Sequence, residues 1–247
     1  MKPNICIVGP SGSGKSSSLR NCDPLTSAVI NSEQKALPFK GAGKFKMNIP
    51  ISGMEPDKDD NDKLKPSMNE YWKVFNKAMA SEKVNMLVNE SFTSLAEQQF
   101  AASGRFYEKF DLWGDFKTEI GKILHRAKNT SKYVVFIGID GVIDGENGVE
   151  ERFMAIDGYW KKKVEKEFVI VLYTDCRINE ETGDPEYIFI TNKQKGHEHV
   201  SAKSPMGMLP LTMPNDLAEV IRLAELYYND ETEAKETPKK EVESTTK

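Results

Sequence analysis

The sequence predicts an α/β fold: a mostly parallel central sheet flanked by helices, with an antiparallel hairpin at one edge. Three observations predict it. Apolar runs such as Ile5-Cys6-Ile7-Val8 and Tyr133 to Ile139 are continuous rather than alternating, the mark of strands buried on both faces of a parallel sheet. Helical patterns separate these runs, so strand and helix alternate along the chain. Two later runs, Phe168 to Thr174 and Tyr187 to Thr191, flank the turn-forming Glu181-Thr182-Gly183-Asp184-Pro185 and so read as a hairpin.

Taken in order, the first run leads straight into Gly9-Pro10-Ser11-Gly12-Ser13-Gly14-Lys15-Ser16, followed by a short helix through Leu19. Ser27-Ala28-Val29-Ile30 is the second strand. Periodicity is weak from Asn31 to Pro66, with a charged stretch at 57–63, and a connection of that length predicts a hidden hairpin around Phe45 to Ile51. Ser67-Met68-Asn69-Glu70 reads as a capping box opening a helix, along which Tyr71, Val74, Phe75, Ala78 and Met79 recur at helical spacing. Val84 to Val88 is a strand, with Asn89-Glu90-Ser91 at its end and a helix beyond it through Phe100. The next helix places Phe116, Ile120, Ile123, Leu124 and Ala127, with Leu112, on one face. Asp140 to Gly148, rich in Asp, Glu and Gly, reads as a loop. Asn215 to Tyr228 is a final amphipathic helix. One domain over 1–228 is expected, followed by a charged tail over 229–247 too poor in apolar residues to order itself.

Composition narrows the class. The 247 residues are 38% hydrophobic and 29% charged, and no apolar run approaches the roughly 18 residues that cross a bilayer. No membrane partner is expected. Met1-Lys2-Pro3-Asn4 passes directly into the first strand, with no targeting pattern. Cys6, Cys22 and Cys176 are odd in number and far apart, which suits a reducing cytoplasm rather than a disulfide framework. A net charge of −4 argues against wholesale coating of nucleic acid but leaves room for a local basic groove.

The segment Gly9 to Ser16 is a complete phosphate-binding loop, G-x-x-x-x-G-K-[ST]. Its glycines let backbone N–H groups converge on phosphate oxygens, and the following helix presents its positive end. Gly9, Pro10, Ser11, Gly12, Ser13, Gly14, Lys15, Ser16 and Ser17 are the expected nucleotide-binding residues. Lys15 reaches the β- and γ-phosphates, and the Ser16 hydroxyl ligates Mg²⁺. The expected ligands are therefore ATP and Mg²⁺. An acidic residue at another strand end should serve the metal side, and Glu90 fits, with Asn89 a candidate to share its role. Glu33, just past the second strand, shares the same rim and is the candidate base that orients water. Asp140 is a weaker candidate there. His125 lies on the polar side of a helix, and His197 and His199 lack a third metal ligand.

What uses the loop is narrowed by elimination. A guanine reader needs Asn-Lys-x-Asp, and Asn192-Lys193-Gln194-Lys195 ends in lysine. A small-molecule kinase needs an arginine-rich lid, but the arginines are scattered. An oligomeric ATPase completed by its neighbour remains. Gly9 to Ser16, Glu33 with Lys35-Ala36-Leu37-Pro38-Phe39-Lys40, Leu87 to Thr93, Tyr133 to Ile139 and Ala202-Lys203-Ser204-Pro205-Met206-Gly207 together resemble the phage-encoded RecA-like P-loop ATPases. The similarity is greatest to the small Sak-type single-strand annealing proteins and spans roughly residues 4 to 212. The resemblance implies a RecA-like P-loop NTPase fold and ATP hydrolysis. It also implies head-to-tail self-assembly, as a ring or filament, on single-stranded DNA in recombination, annealing or replication. A single-strand binding protein is a further implied partner, and the host cytoplasm the implied location. By position Lys203 is similar to the basic finger that related ATPases insert toward the next subunit's γ-phosphate. The sequence departs from the family in placing polar Asn89 before the acid, and Glu90 where Asp is usual. Lys161-Lys162-Lys163 beside Tyr159 and Trp160, with Arg152 and Phe153 nearby, offers charge with aromatic faces for single strands. A nucleotide-dependent switch acting on protein partners without DNA is the alternative.

Overall fold

The structure, a computed structural model, describes residues 1–51, 56–58, 61–144 and 150–230. Its centre is a sheet of parallel strands. β1 (Ile5–Gly9) lies between β7 (Tyr133–Asp144) and β9 (Ile170–Ile178), and β6 (Met86–Glu90), β2 (Ser27–Asn31) and β3 (Asn48–Pro50) continue outward beyond β7. All these neighbours pair in parallel. β10 (Pro185–Ile190) returns antiparallel to β9, and β11 (Thr212–Pro214) pairs antiparallel with β10, forming the predicted edge extension.

Alternation of side chains decides which layer covers which face. Cys6 and Val8, Leu87, Val134 and Phe136 point to one side, where α1 (Asn69–Ala80), α2 (Phe92–Ser103) and α3 (Lys109–Lys128) pack. Ile5, Ile7, Met86, Val88, Val135 and Ile137 point to the other, against Leu19 and α4 (Leu217–Tyr228). Both faces of the central strands are thus buried, which is why their sequences are continuously apolar. Phe136 sits at 0% exposure with its ring 4.7 Å from that of Phe92 and 5.2 Å from that of Phe168.

The register brings the functional strand ends level. Gly9 stands opposite Ile139, Glu90 opposite Ile137, and Asn31 opposite Glu90. Loops leaving β1, β2 and β6 therefore meet on one rim.

Four local readings differ from the sequence expectation. The segment around Phe45 to Ile51 forms a single strand, β3, parallel to β2 rather than a hairpin. Phe45 is buried edge-on against Phe39 at 5.6 Å, so apolar anchoring shapes this connection without a returning strand. A small hairpin lies later, where β4 (Asp57–Lys58) pairs with β5 (Leu64–Lys65). Ser67 accepts a hydrogen bond from Asn69 N–H at 3.1 Å, and Met68 rather than Ser67 is the N-cap of α1. Asp140 to Asp144 continues β7 and pairs with β8 (Glu150–Met154), so the predicted loop is a hairpin arm projecting past the rim. Its polarity reflects solvation of that arm, not absence of strand; 145–149 lie outside the described residues.

The helix after the phosphate loop is a 3-10 helix, Ser16–Asn21. Three consecutive serines favour the helix weakly, and it stops at Asn21, with Cys22 already extended. Asp216 caps α4, accepting from Ala218 N–H at 3.0 Å. Most of the tail predicted at 229–247 lies outside the described residues, which end at Asp230. Among the described residues no helix is long and apolar enough to cross a membrane.

Truncating Phe136 to Ala should lower the unfolding free energy by about 3–5 kcal/mol, as deletion of a fully buried aromatic ring does. Urea denaturation checks this, and a loss under about 1 kcal/mol would contradict its central packing.

Candidate functional site

The loop from Gly9 to Ser16 turns over the end of β1. Gly12 and Gly14 adopt left-handed φ angles of 79° and 89°, which glycine enters without the Cβ penalty. A Cβ on Gly14 would also lie 2.9 Å from the Tyr187 ring. The far side of the loop is tied to β9: Ser13 Oγ donates to Pro10 O at 2.8 Å and lies 2.5 Å from Thr174 Oγ1. A Cβ on Gly9 would strike Thr174 Oγ1 at 2.0 Å, so this glycine permits the close approach of β1 and β9.

Lys15 is folded into the loop, its Nζ donating to Gly9 O at 2.9 Å and Pro10 O at 2.7 Å. Burial lowers its pKa, while the charges of Glu90, Asp140 and Glu33 oppose the shift. Ser16 Oγ donates to Glu90 Oε1 at 2.5 Å. Glu90 Oε2 is buried with no hydrogen-bond partner among the described residues. Burial pushes the Glu90 carboxyl up to about 7; the Ser16 bond opposes this, and the charge of Glu33 adds to it. The Glu90–Ser91 peptide bond is cis.

Glu33 faces the same space. Its Oε1 accepts from Ser94 Oγ at 3.1 Å and its Oε2 pairs with Lys35 at 2.7 Å. The Lys35 contact leads in holding the Glu33 carboxyl below its usual range. Lys15, Ser16, Glu33, Lys35, Glu90 and Tyr187, with the loop backbone, line one cleft of about 590 Å³.

The other sequence candidates lie elsewhere. Asn89 points to the opposite face of the sheet, its Nδ2 donating to Val135 O at 3.3 Å, so it does not join Glu90. Asp140 is engaged by Arg152 at 2.5 Å. Lys203 is bridged through its backbone to Val171, a residue level with Cys6 rather than with the loop. It lines a separate hollow with Arg152, Lys162 and Lys166. His125 lies beside Asn129, and His197 Nε2 is 2.8 Å from Arg177. Among the described residues no cluster of three His, Cys, Asp or Glu could hold a metal.

Four residues of the site escaped sequence reading: Ser94, Thr174, Tyr187 and Lys35 in its pairing role. Ser94 reaches Glu33 across 61 positions of chain, and Thr174 and Tyr187 reach the loop through strand pairing at the far edge of the sheet. Only the adjacency of Lys35 to Glu33 was visible beforehand.

The residues fit the ligands that a phosphate loop implies. The Ser16 hydroxyl and the orphaned buried Glu90 oxygen are hard donors suited to Mg²⁺. Mg²⁺ held there would neutralise phosphate charge. Ser16 and Glu90 would hold it, while Lys15 and the loop N–H groups would hold the phosphates. A phosphate loop on the central strand, with one strand, β7, standing between it and the Glu90 strand, defines a P-loop nucleotide-binding α/β fold. No protein-family model matches the sequence, and no curated protein is similar to it. Among solved structures, the chain is similar to a KaiC-like protein, PH0186, from the hyperthermophilic archaeon Pyrococcus horikoshii OT3. Identity is 12%, coverage 80% of this chain and 82% of that one, and the TM-score 0.43.

The raised Glu90 carboxyl has a sign that can be checked. A carboxyl whose pKa rises on folding stabilises the native state below its unfolded value near 4.5, and that contribution is lost as pH climbs through about 7. Without nucleotide, the wild type should therefore lose stability relative to Glu90→Gln between about pH 5 and about pH 8. Denaturant titrations across that range test it; parallel profiles would contradict the buried, partly unpaired carboxyl.

Proposed function

We propose that this chain is a Mg²⁺-dependent ATPase of the RecA-like class that assembles on single-stranded DNA. The observation that carries the ATPase reading is the convergence of Lys15, the Ser16–Glu90 pair and Glu33 on one cleft. The roles follow from position. Loop N–H groups and Lys15 bind phosphate oxygens, and Ser16 and Glu90 seat the metal. Glu33 accepts a proton from water as its oxygen bonds to the γ-phosphorus; the bond from that phosphorus to the bridging oxygen breaks, leaving ADP and inorganic phosphate. Adenine rather than guanine is supported by the Asn192 side chain, which is engaged with Ser204 at 2.7 and 3.0 Å and followed by no aspartate reader.

The DNA reading rests on one surface. Lys117 and Lys163 lie 4.2 and 4.4 Å from the Tyr159 ring centre, and Lys161 lies 5.9 Å from that of Phe153. Trp160 belongs to the core instead: it is 8% exposed and its N–H donates to Lys117 O. Tyr159 is thus the stacking candidate. Lys203, remote from its own cleft, suits a role at a neighbour's site in a head-to-tail ring or filament. The resemblance to Sak-type phage proteins favours annealing or recombination in a host cytoplasm, with a single-strand binding protein as a further partner. A switch acting on protein partners is the second reading, favoured by Ile139 and Val142, apolar and exposed on β7 as it passes the rim.

Lys15→Ala should weaken ATP binding at least tenfold, about 1.4 kcal/mol or more, by calorimetric titration; unchanged affinity would overturn the ATPase reading. Fluorescence polarisation with single-stranded DNA should show binding that strengthens with ATP and falls with salt. Salt-insensitive or absent binding in both states would favour the switch.

A further inference from the structure

We infer that Lys35 reads the terminal phosphate of the bound nucleotide, and that its ion pair with Glu33 is the resting position from which it does so. This rests on the ATPase reading above and adds to it the means of telling ATP from ADP.

Three observations carry it. The first is charge. Among the described residues lining the cleft, Lys15 and Lys35 are the cations and Glu33 and Glu90 the acids, with no arginine. Lys15 meets the phosphates from the loop side, whereas the cation that stands beside Glu33, where a terminal phosphate would add charge, is Lys35.

The second is placement. Asn31, itself buried, donates from Nδ2 to Lys35 O at 2.7 Å. Gln34 takes a left-handed φ of 56°, and its side chain donates to Ile51 O at 3.0 Å. The backbone beneath Lys35 is therefore pinned to the ends of β2 and β3, while its side chain, 76% exposed, lines the cleft. A fixed base with a mobile ammonium suits a group that must exchange partners.

The third is the partner it holds. Glu33 is clamped at one oxygen by Ser94 and at the other by Lys35. An exposed lysine–carboxylate pair is weak. A terminal phosphate carries more charge than one carboxylate and offers several oxygens, so it outcompetes Glu33 for the ammonium. Transfer of Lys35 to that phosphate frees Glu33 Oε2 to face water. ADP, lacking the terminal phosphate, leaves the pair closed. Recognition of the triphosphate and release of the base are then one event.

Calorimetric titration of the full chain tests this, using Mg²⁺ with ADP and Mg²⁺ with a β,γ-imido ATP analogue that is not hydrolysed. Lys35→Met should weaken binding of the analogue about tenfold while changing ADP affinity less than about twofold, and Lys35→Arg should restore the analogue. Equal losses for both nucleotides, or no loss for either, would overturn the assignment. Wild-type protein binding neither nucleotide would overturn the ATPase reading itself, a different result from intact binding that Lys35→Met leaves untouched. Thermal unfolding of each variant separates these outcomes from misfolding, since the Lys35 side chain is exposed.

Discussion

The Ser16 hydroxyl donating to Glu90 ties the phosphate loop to a strand that is not its neighbour, and the rest of the site depends on that contact. It exists because β7 lies between β1 and β6 in parallel register, so that Gly9 and Glu90 end within two residues of the same level on β7. Burial on both faces holds that register: slipping one strand by a single residue would exchange its entire set of side chains between the two cores. The apolar pattern of the strands and the polar geometry of the cleft are thus one constraint seen from two ends.

Within that frame, electrostatics sets the resting state. Lys15 lies against carbonyls of its own loop, Ser16 against Glu90, and Glu33 against Lys35 and Ser94. Each group suited to phosphate, metal or water therefore already has a protein partner. One oxygen, Glu90 Oε2, does not, and it is buried. An unpaired carboxylate oxygen in such a place is costly, which is why the Glu90 carboxyl is drawn toward its protonated form. A divalent cation relieves that cost, so the departure from the shorter aspartate is compatible with a metal seat. Asn89, the other departure, faces away from Glu90 and bonds to Val135 O.

Much of this was legible in the sequence because its signals are local. Continuous apolar runs marked the central strands, and the glycine pattern marked the loop. Glu33 and Glu90 stand out in the sequence because one lies just past a strand and the other at a strand's end, and parallel strands end on a common rim. What was not legible depends on partners far away in the chain. Thr174 reaches Ser13 through the pairing of β1 with β9, and Tyr187 reaches Gly14 through the hairpin beyond it. The β7 extension looked like a loop because its arm is solvated, and polarity alone cannot separate a projecting strand from a turn. Trp160 read as a surface aromatic beside three lysines, yet tertiary packing against α3 buried it.

Ser16 and Glu90 as the metal seat of a nucleotide site are tested by ATP affinity with and without Mg²⁺ in the wild type, Ser16→Ala and Glu90→Gln. Mg²⁺ should tighten binding to the wild type, and most of this gain should disappear in both variants, while binding without Mg²⁺ persists. An equal gain from Mg²⁺ in all three proteins would contradict it.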